Sequence, residues 1–283
     1  MLPDSVLSEV HLTEADFLKV SQLVYDHCGI NLHDGKKELV RARLAKRLRK
    51  GNFKTFSDYI DYVLRDSSGV EFSLLIDSLS TNLTSFYREN QHFDFLKSNL
   101  LPELKKKKEA KGSRKIRAWS AGCSSGEEPY TLAITLLDAL EYETDWDVKV
   151  LASDISTTIL DKAKTGIYEA KRVDPVPAAL RHKYMKISHQ YGEKYYQVGE
   201  KLKSTVIFRY VNLMADWPIG GPIDFIFCRN VMIYFDKPTQ QRLVERFYNI
   251  LDTGGMLFTG HSESLTGINH KFKYVRPTIY AKL

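Results

Sequence analysis

The sequence predicts an α/β protein in which an all-helical N-terminal domain precedes a parallel α/β domain with a small antiparallel β insertion. Apolar residues recur at helical spacing through about the first 100 residues. From residue 115 onward, short runs rich in Val, Ile and Phe alternate with helical stretches, which is typical of a parallel sheet covered on both faces. Residues 168–213 interrupt that alternation with short segments separated by Gly and Lys.

The composition indicates a globular chain of one large domain or two smaller ones, with 283 residues, 43% hydrophobic and 27% charged. Because no long apolar run exists and the first residues are acidic and polar, neither a membrane span nor a signal peptide is expected. Cys28, Cys123 and Cys228 are widely spaced and form no CxxC pair. They argue against disulfides or a zinc site and for a reducing cytoplasm.

Helix signals run through residues 1–85, which we assign to the helical domain, and residues 86–283 are assigned to the second domain. TEADFLKVSQLVYDHCG begins with the cap signal Thr13-x-x-Asp16 and ends near Gly29. FKTFSDYIDYVLRDS and VEFSLLIDSLSTN continue at helical spacing. The polar, basic segment 102–115, PELKKKKEAKGSRK, is predicted to be a connection between domains, with the end of a helix as an alternative for its first residues.

One segment, KKELVRARLAKRLRK at 36–50, accounts for the net charge of +6, since it holds eight basic residues and one acid. Val40, Leu44 and Leu48 fall on one stripe, so the segment is predicted to form an amphipathic helix with a basic exterior. The ordinary interpretation of such a face is a solvated surface. The functional interpretations are contact with nucleic acid or with an acidic protein.

The buried strands of the second domain are predicted in KIRAWSAG, DVKVLASDI, IDFIFCRNVMIYF and GGMLFTGHSE. Helices in YTLAITLLDAL, TTILDKAKTG and PTQQRLVERFYNIL separate them, and KFKYVRPTIYAKL alternates like a final strand segment. The inserted β subdomain is expected at about residues 185–212, where KYYQVGE, KLKSTV and FRYVNL resemble an antiparallel meander.

The loop in WSAGCSSGEEPY, at 119–130, joins a predicted strand to a predicted helix, an arrangement typical of nucleotide sites. Its spacing, Gly122-x-x-x-Gly126, departs from the dinucleotide fingerprint GxGxxG. The loop also holds two adjacent acids and no lysine, whereas a phosphate-binding loop uses backbone N–H groups and positive charge. An NAD-dependent oxidoreductase is therefore disfavoured.

The next predicted strand ends near Asp154, where a carboxylate can accept hydrogen bonds from two ribose hydroxyls. A ligand with a ribose, positive charge and no phosphate fits both this acid and the acidic loop, and S-adenosylmethionine has these properties. Of the two loop acids, Glu127 is the predicted ligand. Glu128 can instead cap the helix through the pattern Ser125-x-x-Glu128.

Four stretches are together more specific than any single loop: TNLTSFYRE (81–89), WSAGCSSGEEPY (119–130), FCRNVMIYFD (227–236) and GHSES (260–264). Through them the sequence resembles the bacterial chemotaxis receptor methyltransferases over nearly its whole length. The resemblance implies a helical domain followed by a Rossmann-like methyltransferase domain with an inserted β subdomain. It also implies methyl transfer from S-adenosylmethionine to receptor glutamates, forming glutamate methyl esters and S-adenosylhomocysteine.

The resemblance further implies residue roles. Arg88 and Tyr234 are expected to orient groups around the transferring methyl without acid–base chemistry, and His261 is expected to have a structural role. The residues that match cofactor-binding motifs of the family are Asn82, Thr84, Arg88, Glu127, Asp154, Asn212, Leu213, Arg229 and Asn230. Two of these, Arg229 and Asn230, end a predicted buried strand, where polar side chains are costly unless they are paired.

The resemblance also implies a function in receptor binding for the basic segment 36–50. Arg43, Lys46, Arg47 and Lys50 are expected to bind the glutamate-rich methylation helices of a chemoreceptor's cytoplasmic domain through salt-sensitive attraction. In some members of the family the inserted β subdomain also binds a C-terminal receptor peptide by strand addition.

We expect a cytoplasmic monomer with no metal site, no nucleic-acid partner and no membrane insertion. A nucleic-acid methyltransferase would suit the pI of 9.0 and the basic segment. However, the sequence has no Asn-Pro-Pro-aromatic or Cys-based motif for a target base. A non-catalytic interaction protein with the same fold is the other alternative, and the complete set of motifs disfavours it.

Overall fold

The structure is a computed structural model that describes residues 11–141, 143, 145–190 and 193–283. The predictions for residues 1–10 of the helical domain and 191–192 of the insertion lie outside the described residues. Within the described part, helices come first and the first strand of the sheets begins at Lys115. The predicted fold class, an all-helical segment before an α/β segment, is therefore confirmed.

The N-terminal segment contains helices α1 (Glu14–Cys28), α2 (Lys37–Gly51), α3 (Phe56–Arg65) and α4 (Val70–Leu79). Helix α1 begins and ends as predicted. The Thr13 side chain accepts a hydrogen bond from Asp16 N at 3.1 Å, and Gly29 ends the helix with a φ of 74°. The buried faces of these helices form one apolar core around Leu44 and Tyr59, which are both fully buried.

The predicted stripe of α2 is also confirmed, because Val40, Leu44 and Leu48 are all buried in that core. The basic residues of α2 lie off this stripe, and none of them is buried. A 3-10 turn at Asp34–Lys36 leads directly into α2.

The described strands are β1 (Lys115–Ala121), β2 (Asp147–Asp154), β3 (Ile167–Glu169), β4 (Met185–Gln190), β5 (Glu193–Val198), β6 (Val206–Tyr210), β7 (Ile223–Cys228), β8 (Leu251–Thr259), β9 (Lys273–Arg276) and β10 (Ile279–Ala281). Seven of them form the main sheet in the order β6-β2-β1-β7-β8-β10-β9. Strands β6, β2, β1, β7 and β8 are parallel, and the β9–β10 hairpin adds antiparallel to β8. Strand order reverses between β1 and β7, and ligands bind at the carboxyl ends of strands beside such a switch point.

The helices of this part of the chain are α5 (Gln91–Phe95), α6 (Leu101–Ala110), α7 (Glu127–Ala139), α8 (Thr157–Thr165), α9 (Ala170–Val173), α10 (Ala178–Tyr184), α11 (Glu200–Thr205) and α12 (Lys237–Ile250). Helix α9 packs on β3 and β5, and α10 packs on β4. Apolar clusters that include other helices lie on both faces of the main sheet, as predicted. On β7, Phe225 and Phe227 join one apolar cluster while Ile226 and Cys228 join the other. This split follows from the alternation of side chains along a strand.

Strands β3, β5 and β4, in that spatial order, form a separate antiparallel sheet. The predicted antiparallel insertion is present, but two of the three segments predicted to form it belong to other elements. KLKSTV contributes to helix α11, and FRYVNL contributes to β6, which pairs in parallel with β2 in the main sheet. Strand β3 lies before the predicted bounds of 185–212. An edge strand such as β6 buries alternate residues, so its sequence looks like that of a hairpin strand.

The prediction of a domain connection at 102–115 is also wrong, because most of that segment is α6. Its apolar residues join the core of the main sheet. Two of its lysines are tied to the sheet as well, since Lys107 pairs with Asp252 at 2.9 Å and Lys108 pairs with Asp224 at 2.5 Å.

Several contacts fix the helical segment against the second part of the chain. Tyr25 donates a hydrogen bond to Asp236 at 2.8 Å, and the Asn212 amide donates to the carbonyl of His27 at 2.6 Å. A backbone bridge joins Ile30 to Phe235. Among the described residues, no helix combines the length and apolar character needed to cross a bilayer.

Candidate functional site

A cleft opens at the carboxyl ends of β1, β2, β6 and β7, where the helical segment packs against the sheet. Its empty space, including the open mouth, is about 1120 Å³. The predicted site residues that line it are Asn82, Thr84, Arg88, Asp154, Asn212, Leu213, Arg229, Asn230, Tyr234 and Arg43. The predicted site residues outside this lining are Glu127, Lys46, Arg47 and Lys50.

The loop after β1 folds tightly against β7 because Gly122 has no side chain. Its φ is 84°, and a Cβ at this position would overlap the side chain of Val231. The backbone N–H groups of Gly122 and Cys123 both donate to the carbonyl of Ser153 at 2.8 Å. Since these donors are used inside the protein, the loop is not arranged as a phosphate cradle.

Asp154 ends β2 and lies 8% exposed on the cleft wall. Its two carboxylate oxygens accept hydrogen bonds from Ser124 N at 2.8 Å and Ser156 N at 3.0 Å. Burial raises the pKa of this carboxyl group, and the two backbone donors act in the opposite direction. Each oxygen keeps a further acceptor position, which suits a pair of ribose hydroxyls.

The two loop acids have different environments, and neither matches its prediction fully. Glu128 lines the cleft, accepts a hydrogen bond from Ser120 Oγ at 2.7 Å and pairs with Arg229 Nε at 2.7 Å. The prediction that Glu128 caps the helix is therefore wrong. Glu127 is fully buried behind the loop, where it contacts Ser125 Oγ and Arg172. Burial raises the pKa of Glu127, while Ser125 and Arg172 lower it.

Arg229 follows β7 and is the centre of a buried polar network. Besides Glu128, its guanidinium donates to His92 Nδ1 at 3.0 Å and lies 3.6 Å from Glu89 Oε2. The residue is only 5% exposed, so this pairing offsets the cost of burying its charge. Burial and the neighbouring Arg229 lower the pKa of His92 to about 3, so its ring is neutral at neutral pH.

Ligand atoms of Glu89, His92 and His261 lie within 4.8 Å of one another, close enough to hold a metal ion. The other ring nitrogen of His92 bonds Thr278 Oγ1 at 2.7 Å. However, the His92 Nδ1 lone pair that a metal would need already accepts the hydrogen bond from Arg229. We therefore describe this group as a hydrogen-bond network around a cation.

Strand β7 is shorter than predicted. It ends at Cys228, and a 3-10 turn follows at Met232–Tyr234. Asn230 has a φ of 59°, and its N–H donates to Glu263 at 2.7 Å. Glu263 also accepts from Gly260 N at 2.7 Å and Ile233 N at 3.2 Å. This buried acid thus holds Asn230 in place, and sequence analysis missed it although it lies in the GHSES stretch.

The segment from Asn82 to Arg88 crosses the cleft between α4 and α5. The carbonyl of Asn82 accepts a hydrogen bond from Ser124 Oγ at 3.1 Å, which ties this segment to the loop after β1. Arg88 donates to the carbonyl of Leu83 at 2.9 Å. Arg88 also lines the cleft.

The remaining wall combines β6 with the turn after β7. Asn212 and Leu213 lie just beyond β6 and are each 8% exposed. Tyr234, in the turn after β7, is half-buried, and the ammonium of Lys36 lies 5.5 Å from the centre of its ring. Sequence analysis gave Lys36 no role beyond the charge of its segment.

The four predicted receptor-binding residues of α2 do not share one environment. Arg43 lines the cleft and donates to oxygen atoms at and beyond the end of α4. Arg47 is tied to Glu71, with both side chains largely buried. Only Lys46 and Lys50 among the four are exposed. The structure thus separates a cleft-facing part of α2 from a solvent-facing part.

The chemistry available in the cleft favours a reaction whose nucleophile is already ionised. Within the described part of the chain, no histidine lines it, and its carboxylates Asp154 and Glu128 already hold protein donors. The lining also includes the cations Lys36, Arg43, Arg88 and Arg229. Such a lining suits an anionic reactant better than one that must lose a proton to a base.

Known proteins resemble the chain along nearly its whole length. Residues 82–281 match the family model "CheR methyltransferase, SAM binding domain", and residues 15–80 match "CheR methyltransferase, all-alpha domain". The chain is 40% identical over 275 residues to the chemotaxis protein methyltransferase of Borreliella burgdorferi, with 96% of each chain covered. It is 39% identical over 273 residues to that of Escherichia coli, covering 95% of this chain and 91% of the relative.

A further relative is chemotaxis protein methyltransferase 2 of Pseudomonas aeruginosa, which is 42% identical over 274 residues, covering 96% of this chain and 95% of the relative. The two matched family models correspond to the helical segment and to the sheet with its cleft. The chain therefore belongs to the CheR family of methyltransferases, which join an all-alpha domain to a domain that binds S-adenosylmethionine (SAM).

Proposed function

We propose that this SAM-dependent methyltransferase acts on glutamate side chains of chemoreceptors and forms glutamate methyl esters. The observation that carries the proposal is the cleft between the helical segment and the sheet, whose lining is rich in cations and has no histidine among the described residues. An anionic side chain that entered the cleft would be attracted to these cations.

A glutamate acceptor fits the absence of a base in that lining. Its pKa is near about 4.3 in water, so its carboxylate is ionised at neutral pH. SAM supplies a methyl group on a sulfonium cation, and the acceptor oxygen bonds the methyl carbon while the electron pair of the broken carbon–sulfur bond returns to sulfur. The protein's contribution is to strip water from the carboxylate and align it, and such positioning can supply roughly 7–11 kcal/mol.

The cofactor contacts that we propose come from the residues around the carboxyl ends of the strands. Asp154 would accept hydrogen bonds from the ribose, because both of its oxygens keep free acceptor positions at the cleft wall. Arg88 and Tyr234 would orient the reacting groups from opposite walls. The further proposed contacts are Asn82, Thr84, Asn212, Leu213, Arg229 and Asn230.

The receptor contacts that we propose extend beyond the cleft. The exposed Lys46 and Lys50 would attract the acidic methylation helices of a chemoreceptor, together with Arg43 at the cleft and Arg47 beside it. Strand β4 is an edge of the small antiparallel sheet and could accept a receptor peptide as an added strand. We further propose that the enzyme works in the cytoplasm as a monomer, without nucleic acid or membrane insertion.

Transfer from labelled SAM to receptor-containing membranes tests this function. We expect label in the receptor that is released as methanol by mild base, because carboxyl esters are base-labile. RNA and DNA substrates incubated in parallel should stay unlabelled. Label in nucleic acid, or base-stable label in the receptor, would contradict the proposed function.

A further inference from the structure

We propose that Lys36 binds the carboxylate of the methyl acceptor in the cleft and thereby positions it for transfer. This inference rests on the proposed function, since it takes a glutamate side chain as the acceptor. It deepens that function by assigning the acceptor carboxylate a specific binding partner. Neither the family motifs nor the exposed basic face of α2 identifies such a partner.

Among the described residues, three guanidinium groups line the cleft besides the ammonium of Lys36. Arg43 donates to the oxygens near the end of α4, and Arg88 donates to the carbonyl of Leu83. Arg229 pairs with Glu128 and donates to His92. Each of these three guanidinium groups therefore already has protein partners.

Lys36 differs from them. Among the described residues, its ammonium makes no hydrogen bond or ion pair, and its described contact is with the ring of Tyr234, at 5.5 Å from the ring centre. Its three donors are therefore available to an anion. A cation above an aromatic face is held loosely compared with one in an ion pair, so an arriving carboxylate can take it over.

The location of Lys36 is fixed by the contact between the helical segment and the sheet. Asn31 N donates to the carbonyl of Tyr234 at 2.8 Å, and Ile30 bridges to Phe235. The 3-10 turn that ends at Lys36 follows shortly after, so the ammonium is held in the cleft lining beside Tyr234. A carboxylate between Lys36 and the strand ends would lie in the cleft that also holds the cofactor-binding residues.

The charge balance of the reaction predicts what Lys36 contributes. The acceptor is an anion before transfer and a neutral ester afterwards, so its attraction to the ammonium weakens as the new bond forms. Lys36 should therefore favour binding of the unmodified glutamate and release of the ester, and it should add little to the chemical step itself. It should also favour glutamate over glutamine, because an amide carries no charge.

The test compares Lys36→Met with Lys37→Met, a matched control. Lys37 is the next residue, but its ammonium pairs with Glu14 at 2.7 Å and does not line the cleft. For Lys36→Met we expect KM for a receptor fragment to rise at least about tenfold and kcat to change less than about threefold, with most binding restored in Lys36→Arg. For Lys37→Met we expect wild-type values. Affinity for S-adenosylhomocysteine should be unchanged in all three variants, which also checks their fold.

A second measurement needs no turnover. In the presence of S-adenosylhomocysteine, the wild type should bind a fragment with one accepting glutamate more tightly than the same fragment with glutamine, and Lys36→Met should lose most of that preference. Equal preference in wild type and Lys36→Met, or equal KM in Lys36→Met and Lys37→Met, would overturn the role of Lys36. If the wild type instead formed no ester on any receptor, the proposed function would fail, and the glutamate preference alone would then decide whether Lys36 binds a carboxylate.

Discussion

At the scale of single residues, Asp154 gives the clearest prediction about cofactor binding. Asp154→Ala should weaken the binding of S-adenosylhomocysteine at least about tenfold, because hydrogen bonds to a charged group contribute roughly 1.5–3 kcal/mol each. Isothermal calorimetry on the folded variant measures this directly. Wild-type affinity in a folded Asp154→Ala variant would remove this residue from the site.

The two loop acids make a matched pair for a second prediction. Glu128→Gln should weaken S-adenosylhomocysteine binding more than Glu127→Gln, because Glu128 lines the cleft and holds Arg229, whereas Glu127 lies behind the loop beside Arg172. Calorimetry on both variants gives the order of the two effects. The reverse order would restore Glu127 to the ligand role that the sequence predicts.

His92 gives a prediction about pH and stability. Its pKa falls from 6.5 to about 3 on folding, chiefly through burial and then through Arg229 and His261. A group whose folded pKa is lowered binds fewer protons in the native state than in the unfolded state between those values. Its contribution to stability is therefore complete above about pH 6.5 and is lost as pH falls toward about 3, by up to about 1.4 kcal/mol per pH unit.

The measurement is urea denaturation at several pH values for the wild type and for His92→Gln. We expect the free energy of unfolding of the wild type to fall more steeply below about pH 6 than that of the variant. Parallel curves would show that His92 is not the buried neutral group that the structure describes.

At the scale of elements, α2 carries a prediction about the receptor. Lys46→Glu combined with Lys50→Glu should raise KM for receptor several-fold and flatten its salt dependence, because exposed charges attract over about 8 Å at physiological ionic strength. Affinity for S-adenosylhomocysteine should not change, since neither lysine lines the cleft. Steady-state methylation at two salt concentrations measures both effects.

The control is the same charge change elsewhere, Lys106→Glu with Lys111→Glu around the end of α6, where both lysines are exposed. These substitutions should leave receptor KM near the wild-type value. Equal KM values in the two double variants would show that the face of α2 is only a solvated surface.

The elements that the sequence predicts well are those with local causes. Thr13 and Gly29 set the ends of α1 through hydrogen bonds and backbone angles that involve only their neighbours. The stripe of α2 likewise follows from its own helical period. The polar segment around Lys107 and Lys108 was misassigned because its helix is stabilised by distant acids, Asp252 and Asp224.

The prediction for the segment that forms β6 was wrong for a related reason. Whether a short alternating segment pairs with β5 or with β2 depends on the path of the whole chain, and its own pattern is the same in both cases. The site shows the same division. Motif residues such as Asn82 and Asp154 could be named from the sequence, and both line the cleft. Arg172 and Glu263 could not, because each contacts a residue more than thirty positions away.

At the scale of the whole molecule, the proposed function depends on how the helical segment is placed against the sheet. The helical segment brings Lys36 and Arg43 to the cleft that the sheet forms with Asp154 and Arg229. Contacts such as Tyr25 with Asp236 fix this arrangement. In the function that we propose, the residues on the sheet side bind the cofactor and the cations of the cleft favour a glutamate side chain as the acceptor.

The most direct test of that claim is peptide mapping by mass spectrometry of a receptor cytoplasmic fragment after incubation with the enzyme and SAM. The proposed function predicts that glutamate residues gain the mass of one methylene. Mild base should remove this gain, and the Arg88→Ala variant should produce almost none of it. An unmodified fragment, modification of a residue other than glutamate, or full modification by folded Arg88→Ala would contradict it.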